Sequence, residues 1–350
     1  MSSRGQHAED PKGDVLVIGP AWVGDMVMAQ SLFMRLKARA PSPAVDVIAP
    51  GWSLPLLERM PEVREAIPLP VTHGELALSR RWRTGRRLRD RHYVQGIVLQ
   101  RSAKAALPLL AAGIPRRTGY RGEYRYALLN DVRPLDRNRL YRTVDRFVAL
   151  ALPAAEESLP EIPQPRLISP PEGADEARQA LGLGRDDTPV LALCPGAEYG
   201  PAKRWPAEYF AEIARQQLTR GWRVWLFGSA RDREVTGAIR KLASGAVDLA
   251  GRTSLAQAID LLGTSTAVIS NDSGLMHVAA ATGTPVVAVY GSSDPRYTPP
   301  LSADARILYL GLDCSPCFQR ECPLGHLNCL RQLQPSMVRR TLDSLLGEVG

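Results

Sequence analysis

Apolar and polar residues follow one another along the chain in a regular alternation. Residues 14–18 form a short apolar run that ends in Gly19-Pro20, and apolar residues then recur at helical spacing from Met26 to Leu36. Short apolar runs bounded by glycine or proline predict buried strands, and the spacing that follows predicts amphipathic helices. Because the alternation returns through most of the chain, it predicts an α/β fold built on doubly wound parallel sheets.

A proline-rich segment interrupts this alternation once. Six prolines lie between residues 153 and 171, and a new apolar run begins at Pro189. Prolines at this density break both helices and strands, so the segment predicts a domain boundary. The predicted organisation is an N-terminal domain of residues 1–165, a C-terminal domain of residues 166–335 and a final helix within residues 336–350.

The stretch from Ser270 to His277 is the strongest candidate for a binding site. It follows an apolar run, and Asn271, Asp272 and Ser273 are good residues for starting a helix. A helix start offers unpaired N–H groups and a positive dipole end, which suit a phosphate. Gly274 permits close approach of a ligand, and His277 follows one turn later. The alternative is a well-capped helix of an ordinary α/β protein.

A second candidate follows the first predicted strand. Gly24-Asp25 lies at a turn from strand to helix, at the sheet edge where open α/β folds bind their ligands. Asp25 could be a plain helix cap or a catalytic carboxylate. The turn lacks the Gly-x-Gly-x-x-Gly pattern, so a dinucleotide site is not expected there.

A third candidate, Lys203, lies in a glycine- and proline-rich loop after the strand that ends at Cys194. The strand ends at Phe227, Ala250 and Ser270 are predicted to meet at the same edge. A lysine there could hold a phosphate as a point charge, or it could be an ordinary surface lysine.

The charge is unevenly distributed. The chain has 350 residues, of which 45% are hydrophobic, and its net charge is +8. Residues 80–146, called here the basic region, contain seventeen arginines and Lys104 against five acidic residues. A basic region suggests an anionic partner, but no nucleic-acid-binding motif is present. Anionic lipid or sugar phosphate fits as well, and so does a solvated arginine-rich surface.

Four of the five cysteines lie near the C-terminus. Together with His326, the residues Cys314, Cys317, Cys322 and Cys329 have a spacing compatible with zinc, although a reduced, loop-packing cluster also explains it. The polar N-terminus does not resemble a signal peptide, and no apolar run reaches the ~20 residues of a membrane helix. These features predict a cytoplasmic protein, at most peripheral to a membrane.

Several of these motifs, taken in order, resemble the heptosyltransferases of lipopolysaccharide core synthesis, glycosyltransferase family 9. They are Gly24-Asp25-Met26-Val27, Lys203-Arg204-Trp205-Pro206, residues 250–255 and residues 270–277. The loop of residues 195–200 and the cysteines from Cys314 to Cys329 resemble the branch that adds the second heptose. The likeness covers nearly the whole chain.

The resemblance implies a GT-B architecture, with two Rossmann-like domains facing across a cleft and the last helix crossing back to the first domain. It implies inverting transfer of heptose from ADP-L-glycero-β-D-manno-heptose to the first heptose of Kdo-lipid A, without a metal or other cofactor. The acceptor lies at the cytoplasmic face of the inner membrane, and no nucleic acid is involved.

The resemblance also implies roles for individual residues. Asp25 would be the catalytic base, and Lys203 would stabilise the leaving diphosphate. The other donor-binding residues would be Asp232, Thr253, Ser254, Leu255, Asp272, Ser273, Gly274 and His277. The acceptor-binding residues would be Gly24, Arg101, Lys104, Arg121 and Arg125.

Three other functions are compatible with parts of the sequence. The first is heptosyltransferase I or a later core transferase of the same family. The second is a nucleotide-sugar 2-epimerase of GT-B architecture, which would leave the basic region without a use. The third is a basic protein that binds nucleic acid or anionic lipid, which would leave Asp25 unexplained.

Overall fold

A computed structural model of the chain describes residues 12–72, 74–156, 158–184 and 187–347. The chain divides into two compact units, Met1–Pro165 and Arg166–Gly350, and the division falls within the proline-rich segment. Residues 1–11, which begin the first predicted domain, and residues 348–350, which end the predicted C-terminal helix, lie outside the described residues. The assignment of acceptor to the first domain and donor to the second stays a prediction.

The first unit is a six-stranded parallel sheet with helices between its strands. Its strands are β1 (Val15–Ile18), β2 (Val45–Pro50), β3 (Val63–Leu69), β4 (Gln95–Val98), β5 (Arg116–Tyr120) and β6 (Asp131–Arg133). Its α-helices are α1 (Val23–Lys37), α2 (Leu54–Leu57), α3 (Leu78–Arg86), α4 (Ala103–Ala111) and α5 (Thr143–Ala149).

The second unit repeats this design. Its strands are β7 (Val190–Cys194), β8 (Arg223–Leu226), β9 (Val247–Asp248), β10 (Ala267–Asn271), β11 (Val286–Val289) and β12 (Ala305–Leu308). Its α-helices are α6 (Pro171–Leu181), α7 (Ala207–Thr219), α8 (Arg233–Leu242), α9 (Leu255–Gly263), α10 (Gly274–Ala281), α11 (Asn328–Arg331) and α12 (Pro335–Leu345).

The order of the strands positions the candidate sites. The first sheet runs β3-β2-β1-β4-β5-β6 and the second runs β12-β11-β10-β7-β8-β9. Renumbered within each unit, both sheets have the order 3-2-1-4-5-6 of the Rossmann fold, and the strands within each sheet pair in parallel. The predicted doubly wound α/β fold is confirmed. Connections reverse direction between β1 and β4 and between β7 and β10, and such switch points are where these folds bind ligands.

The apolar runs become strands because helices bury both faces of each sheet. Every residue of β1, β7, β10 and β11 is buried. Helix α12 packs on α7, β11 and β12, and its residues Val338 and Leu342 belong to the core of the second unit. Its predicted crossing toward the first domain stays a prediction.

From the sequence, residues 76–91 are predicted to form one very basic helix, but the helix in the structure is shorter. Helix α3 ends at Arg86, and Arg89–Arg91 form a separate 3-10 turn. A side chain at Gly85 would come within 2.2 Å of the Pro108 carbonyl oxygen, so α3 and α4 can pack closely only because this residue is glycine. This packing turns Arg81 and Thr84 inward and leaves Arg83 exposed. None of the helices in the described ranges is both long and apolar enough to span a bilayer.

Candidate active site

Asn271, the last residue of β10, binds both ends of one loop at the switch point of the second sheet. Its buried side chain accepts a hydrogen bond from the Trp205 N–H at 3.0 Å and donates one to the Pro195 carbonyl at 2.6 Å. Pro195 follows β7 directly, and Trp205 lies near the end of the same loop. Asn271 therefore holds the loop that carries Lys203 against the end of β10.

Asp272 is the centre of a buried polar cluster beside this loop. Its Oδ2 atom accepts a hydrogen bond from Ser293 Oγ at 2.5 Å and another from the ammonium group of Lys203. The Asp272 side chain is 6% exposed and that of Lys203 is 17% exposed. Lys203 Nζ also lies 5.1 Å from the centre of the Tyr199 ring. Lys203 is thus a half-buried cation with a fixed position, not an ordinary surface lysine.

Helix α10 begins directly after Asp272. Ser273 is its N-cap residue, but its side chain makes no capping hydrogen bond to the helix and instead lies 3.2 Å from Ser270 Oγ. The N–H groups of the first turn, which starts at Gly274, therefore receive no side-chain cap and point out of the helix toward its N-terminal end. Together with Lys203, they form a positively polarised site that suits an anion.

His277 lies one turn into α10 and is only 4% exposed. Burial lowers the pKa of its imidazole to about 4; the charge of Asp272 opposes this change and that of Lys203 adds to it. The ring is therefore neutral at pH 7. Its Nδ1 atom is buried and has no hydrogen-bond partner among the described residues, which is a costly state for a polar atom.

Asp232 ends the 3-10 turn Ala230–Asp232, which follows β8, and it lies beside the loop that follows β7. Its Oδ2 atom accepts hydrogen bonds from Ser229 N at 2.9 Å and Ser229 Oγ at 2.8 Å, while its Oδ1 atom is 3.9 Å from Arg204 Nη2. A Cβ atom at Gly196 would lie 2.6 Å from this carboxyl group. The glycine of the predicted loop is thus needed for Asp232 to pack there.

The segment Thr253–Leu255 forms the start of α9. Ser254 is the N-cap residue, and its hydroxyl accepts a hydrogen bond from Gln257 N at 3.2 Å while the Gln257 side chain accepts one from Ser254 N. This is a complete capping box, and it keeps the side chain of Ser254 occupied.

Asp25 follows β1, which has the place in the first sheet that β7 has in the second. It therefore lies beside the switch point of the first sheet. The N-cap residue of α1 is Trp22, and Asp25 is the third residue of the helix. The interpretation of Asp25 as a plain N-cap is therefore wrong. Its side chain is half-buried, whereas Gly24 is fully buried. The exposed Arg101 follows β4, the other strand at the switch point.

The structure separates the predicted acceptor-binding cations into different classes. Arg101 and Arg121 are exposed, and Lys104 donates hydrogen bonds to the carbonyl groups of Gly74 and Glu75 at 2.9 and 3.0 Å. Arg125 is 2% exposed.

The guanidinium group of Arg125 is bonded to main-chain carbonyl groups, which include those of Tyr120 and Gln100 at 2.5 and 2.6 Å. Burial lowers its pKa to about 10, and the nearby charge of Arg101 contributes. Because its donors are directed into the protein, Arg125 is a structural residue; the prediction that it binds the acceptor is corrected.

The segment of residues 314–329, called here the cysteine segment, packs beside the Lys203 loop. The Arg320 carbonyl accepts a hydrogen bond from Ala202 N at 3.0 Å, and the Phe318 carbonyl accepts one from Tyr199 Oη at 2.6 Å. Burial raises the pKa of the Cys329 thiol, and the neighbouring Cys314, Cys322 and Cys317 contribute. Within the described part of the chain, no three His, Cys, Asp or Glu side chains are arranged to hold a metal ion.

Two residues of this site were not predicted in the roles that they have: Asn271 as the anchor of the loop after β7, and Ser293 as a partner of Asp272. A signal existed for Ser293, because it follows β11 in a polar loop, and the strand ends of one parallel sheet meet at one edge. For Asn271, the sequence suggested a helix cap, while the structure places it in the strand with its side chain turned to the neighbouring loop.

Comparison with known proteins identifies the family. Residues 81–328 match the family described as glycosyltransferase family 9 (heptosyltransferase). The chain is 45% identical to lipopolysaccharide heptosyltransferase 2 of Salmonella typhimurium over 346 residues. The matched residues cover 96% of this chain and 99% of that protein. The chain is 44% identical to the protein of the same name from Escherichia coli, over 95% of this chain and 98% of that one.

The fold gives the same result. The solved structure described as that of E. coli ADP-heptose lps heptosyltransferase II superposes with a TM-score of 0.86 at 42% identity, covering 96% of this chain and 99% of that one. The chain therefore belongs to glycosyltransferase family 9 and is a glycosyltransferase enzyme.

Proposed function

We propose that this enzyme is a lipopolysaccharide heptosyltransferase II. It transfers L-glycero-D-manno-heptose from ADP-heptose to the first heptose of Kdo-lipid A, with inversion at the anomeric carbon. The observation that carries the proposal is the cluster of Lys203, Asp272 and the uncapped start of α10 at the switch point of the second sheet. Such a cluster fits the diphosphate and sugar of a nucleotide-sugar donor, and relatives that are 45% and 44% identical to the chain bear this name.

The donor diphosphate is met by groups of the protein. The Lys203 ammonium and the N–H groups at Ser273 and Gly274 supply positive charge where negative charge grows as ADP departs. Asp272 keeps Lys203 in place and is available to the hydroxyl groups of the heptose. His277, being neutral, can hydrogen-bond the donor without adding charge. Asp232 serves the ribose, and the segment Thr253–Leu255 borders the adenine.

The acceptor is activated by Asp25. An acceptor hydroxyl oxygen attacks the anomeric carbon, the bond from this carbon to the phosphate oxygen breaks, and ADP leaves with the bonding electron pair. The hydroxyl proton passes to the Asp25 carboxylate, which acts as general base. A single displacement of this kind inverts the anomeric configuration. Gly24 precedes Asp25 and keeps the start of α1 free of a side chain at this point.

A transfer assay with defined substrates tests the proposal. The wild-type enzyme should transfer heptose from ADP-heptose to Kdo-lipid A that already carries one heptose, and not to Kdo-lipid A without heptose. Transfer to the heptose-free acceptor would instead indicate heptosyltransferase I, and release of free 2-epimer without acceptor would indicate an epimerase.

The variant Asp25→Asn tests the base. It should lower kcat by about 10²–10⁴-fold, the usual range for loss of a general base, while calorimetry shows unchanged ADP binding. A variant that retains more than roughly a tenth of the wild-type rate would contradict the role of Asp25.

The basic region supplies an acceptor surface in the first unit. On α3 and directly after it, the side chains of Arg83, Arg86 and Arg87 are exposed and make no ion pair within the described residues, and Trp82 beside them is 41% exposed. Arginine binds phosphate in a bidentate manner and keeps its charge at any working pH. With Arg101, Lys104 and Arg121, this face binds the phosphates and carboxylates of the lipid acceptor at the cytoplasmic face of the inner membrane.

Neutralising two of these arginines tests the acceptor surface. Arg83→Gln combined with Arg86→Gln should raise the acceptor KM, weaken sedimentation with phosphatidylglycerol vesicles and leave the ADP-heptose KM unchanged. Raising the salt so that the Debye length falls below about 8 Å should act in the same direction on the wild type. The matched control, Arg240→Gln with Lys241→Gln on the exposed face of α8, should change neither constant. If the two pairs behave alike, α3 does not bind the acceptor.

A further inference from the structure

The side chain of Ser293 is directed at the centre of the proposed donor site from a third loop. Ser293 follows β11, is buried, and donates its hydroxyl hydrogen to Asp272 Oδ2 at 2.5 Å. That oxygen also accepts the hydrogen bond from Lys203. The two donors therefore share one carboxylate oxygen.

Because both donors bind Oδ2, neither of them occupies Oδ1, the other oxygen of the Asp272 carboxylate. Within the described residues, the hydrogen bonds that the Asp272 side chain accepts all reach Oδ2. Oδ1 does not belong to the polar atoms that are both buried and without a partner. Oδ1 is therefore the oxygen that remains accessible to a ligand. If the Lys203 ammonium group were its only partner, the Asp272 carboxylate could rotate. The ammonium group, a compact point charge, could then bridge both carboxylate oxygens. The Ser293 hydroxyl opposes this rotation because it ties Oδ2 to a fixed loop.

The loop that carries Ser293 is itself held in place on several sides. Ser315 Oγ donates a hydrogen bond to the Gly291 carbonyl at 2.5 Å, and Phe318 N donates one to the Ser292 carbonyl at 2.7 Å. Ser292 N in turn donates to the Ala202 carbonyl at 3.4 Å, one residue before Lys203. The loop is thus attached both to the cysteine segment and to the turn that presents the lysine.

We propose that Ser293 is a positioning residue for heptose transfer, which fixes Asp272 so that Oδ1 faces the donor sugar and Lys203 faces the leaving diphosphate. This inference rests on the proposed function. It also gives the cysteine segment a role, because Ser315 and Phe318 hold the loop on which the Ser293 hydroxyl depends. Ser293 acts through Asp272 and does not itself need to touch the reacting atoms.

Replacing Ser293 by alanine tests this role, with Ser292 as the matched control. Ser292 is the neighbouring buried serine, and its Oγ has no hydrogen-bond partner in the structure. Ser293→Ala should lower kcat by about tenfold to a hundredfold, the range expected for loss of a hydrogen bond to a charged group. Ser292→Ala should keep the wild-type kcat, and Ser293→Thr, which retains the hydroxyl, should recover most of the rate.

Two further readouts, the acceptor KM and the Tm, separate positioning from a merely structural effect. For Ser293→Ala, the acceptor KM and the Tm should stay at the wild-type values while kcat falls. If wild-type kcat persists in Ser293→Ala, or if Ser292→Ala lowers kcat equally, the inference is overturned while the proposed function stands. If Ser293→Ala lowers kcat only in parallel with the Tm, a structural role replaces positioning. Absence of transfer by the wild type would overturn the proposed function and this inference with it.

Discussion

The buried histidine of the candidate site makes a quantitative prediction about stability and pH. His277 is 4% exposed, and burial lowers its pKa to about 4, compared with about 6.5 for an unperturbed histidine. Between these two values the unfolded chain binds a proton that the folded chain does not. The folded state is therefore favoured most above about pH 6.5, and this part of its stability is lost as the pH falls toward 4.

The size of the effect follows from the two pKa values. At about pH 5, the difference in proton binding costs the folded state about 2 kcal/mol relative to neutral pH, and the full loss near pH 4 is about 3 kcal/mol. In a unit of about 150–250 residues, 1 kcal/mol corresponds to roughly 2–4 °C in Tm. The loss at about pH 5 therefore amounts to roughly 4–8 °C.

The perturbation is His277→Leu, and the assay is scanning calorimetry of the full chain at about pH 7.5 and pH 5. Leucine cannot bind the proton, and it also removes the unpartnered Nδ1 atom. The Tm of the variant relative to wild type should therefore rise by roughly 4–8 °C between the two pH values. Taking the difference between variants cancels the carboxylates, which titrate in both proteins.

A control variant separates this effect from the loss of any histidine. His92 is exposed and has a positive φ of 52°, so asparagine, which tolerates this backbone conformation, is the suitable replacement. If His277→Leu and His92→Asn show the same Tm difference from wild type at both pH values, the desolvation argument for His277 is refuted.

Further predictions concern the anion site and its support. Lys203→Ala should weaken ADP binding in calorimetry and also lower kcat, whereas Lys241→Ala, an exposed lysine of the same unit, should do neither; equal behaviour of the two would make Lys203 a surface residue. Transfer should persist in EDTA, because the protein supplies the charge that meets the diphosphate; a complete loss that Mg²⁺ restores would contradict this. Asn271→Ala should lower the free energy of unfolding by about 2–6 kcal/mol, because two buried main-chain groups, on Trp205 and Pro195, each lose a partner worth about 1–3 kcal/mol. A urea titration that shows a loss of less than about 1 kcal/mol would refute this.

The local periodicity of the sequence was sufficient for the fold class. Apolar runs separated by helical spacing reflect burial of strands between two layers of helices, and this requirement acts on each segment of the chain separately. The helix start after Asp272 and the turn before Asp25 could be predicted for the same reason, because capping and turn formation involve residues close in sequence. The predicted bounds of α3, residues 76–91, were wrong, since its packing depends on how closely Gly85 approaches Pro108 on another helix.

Only the tertiary structure decided which of the predicted residues act together. Lys203 and Asp272 are 69 residues apart, and their contact depends on β7 and β10 lying side by side. Likewise, nothing in the composition of the basic region distinguishes the buried Arg125 from the exposed Arg83, because arginine has the same charge and size in both places. The sequence by itself determined the alternation of elements, the boundary near Pro165 and the residue types at each strand end. The pairing order of the strands decided which of those strand ends meet. The sequence could not show this order, because hydrogen bonding between distant strands leaves no local periodicity in the chain.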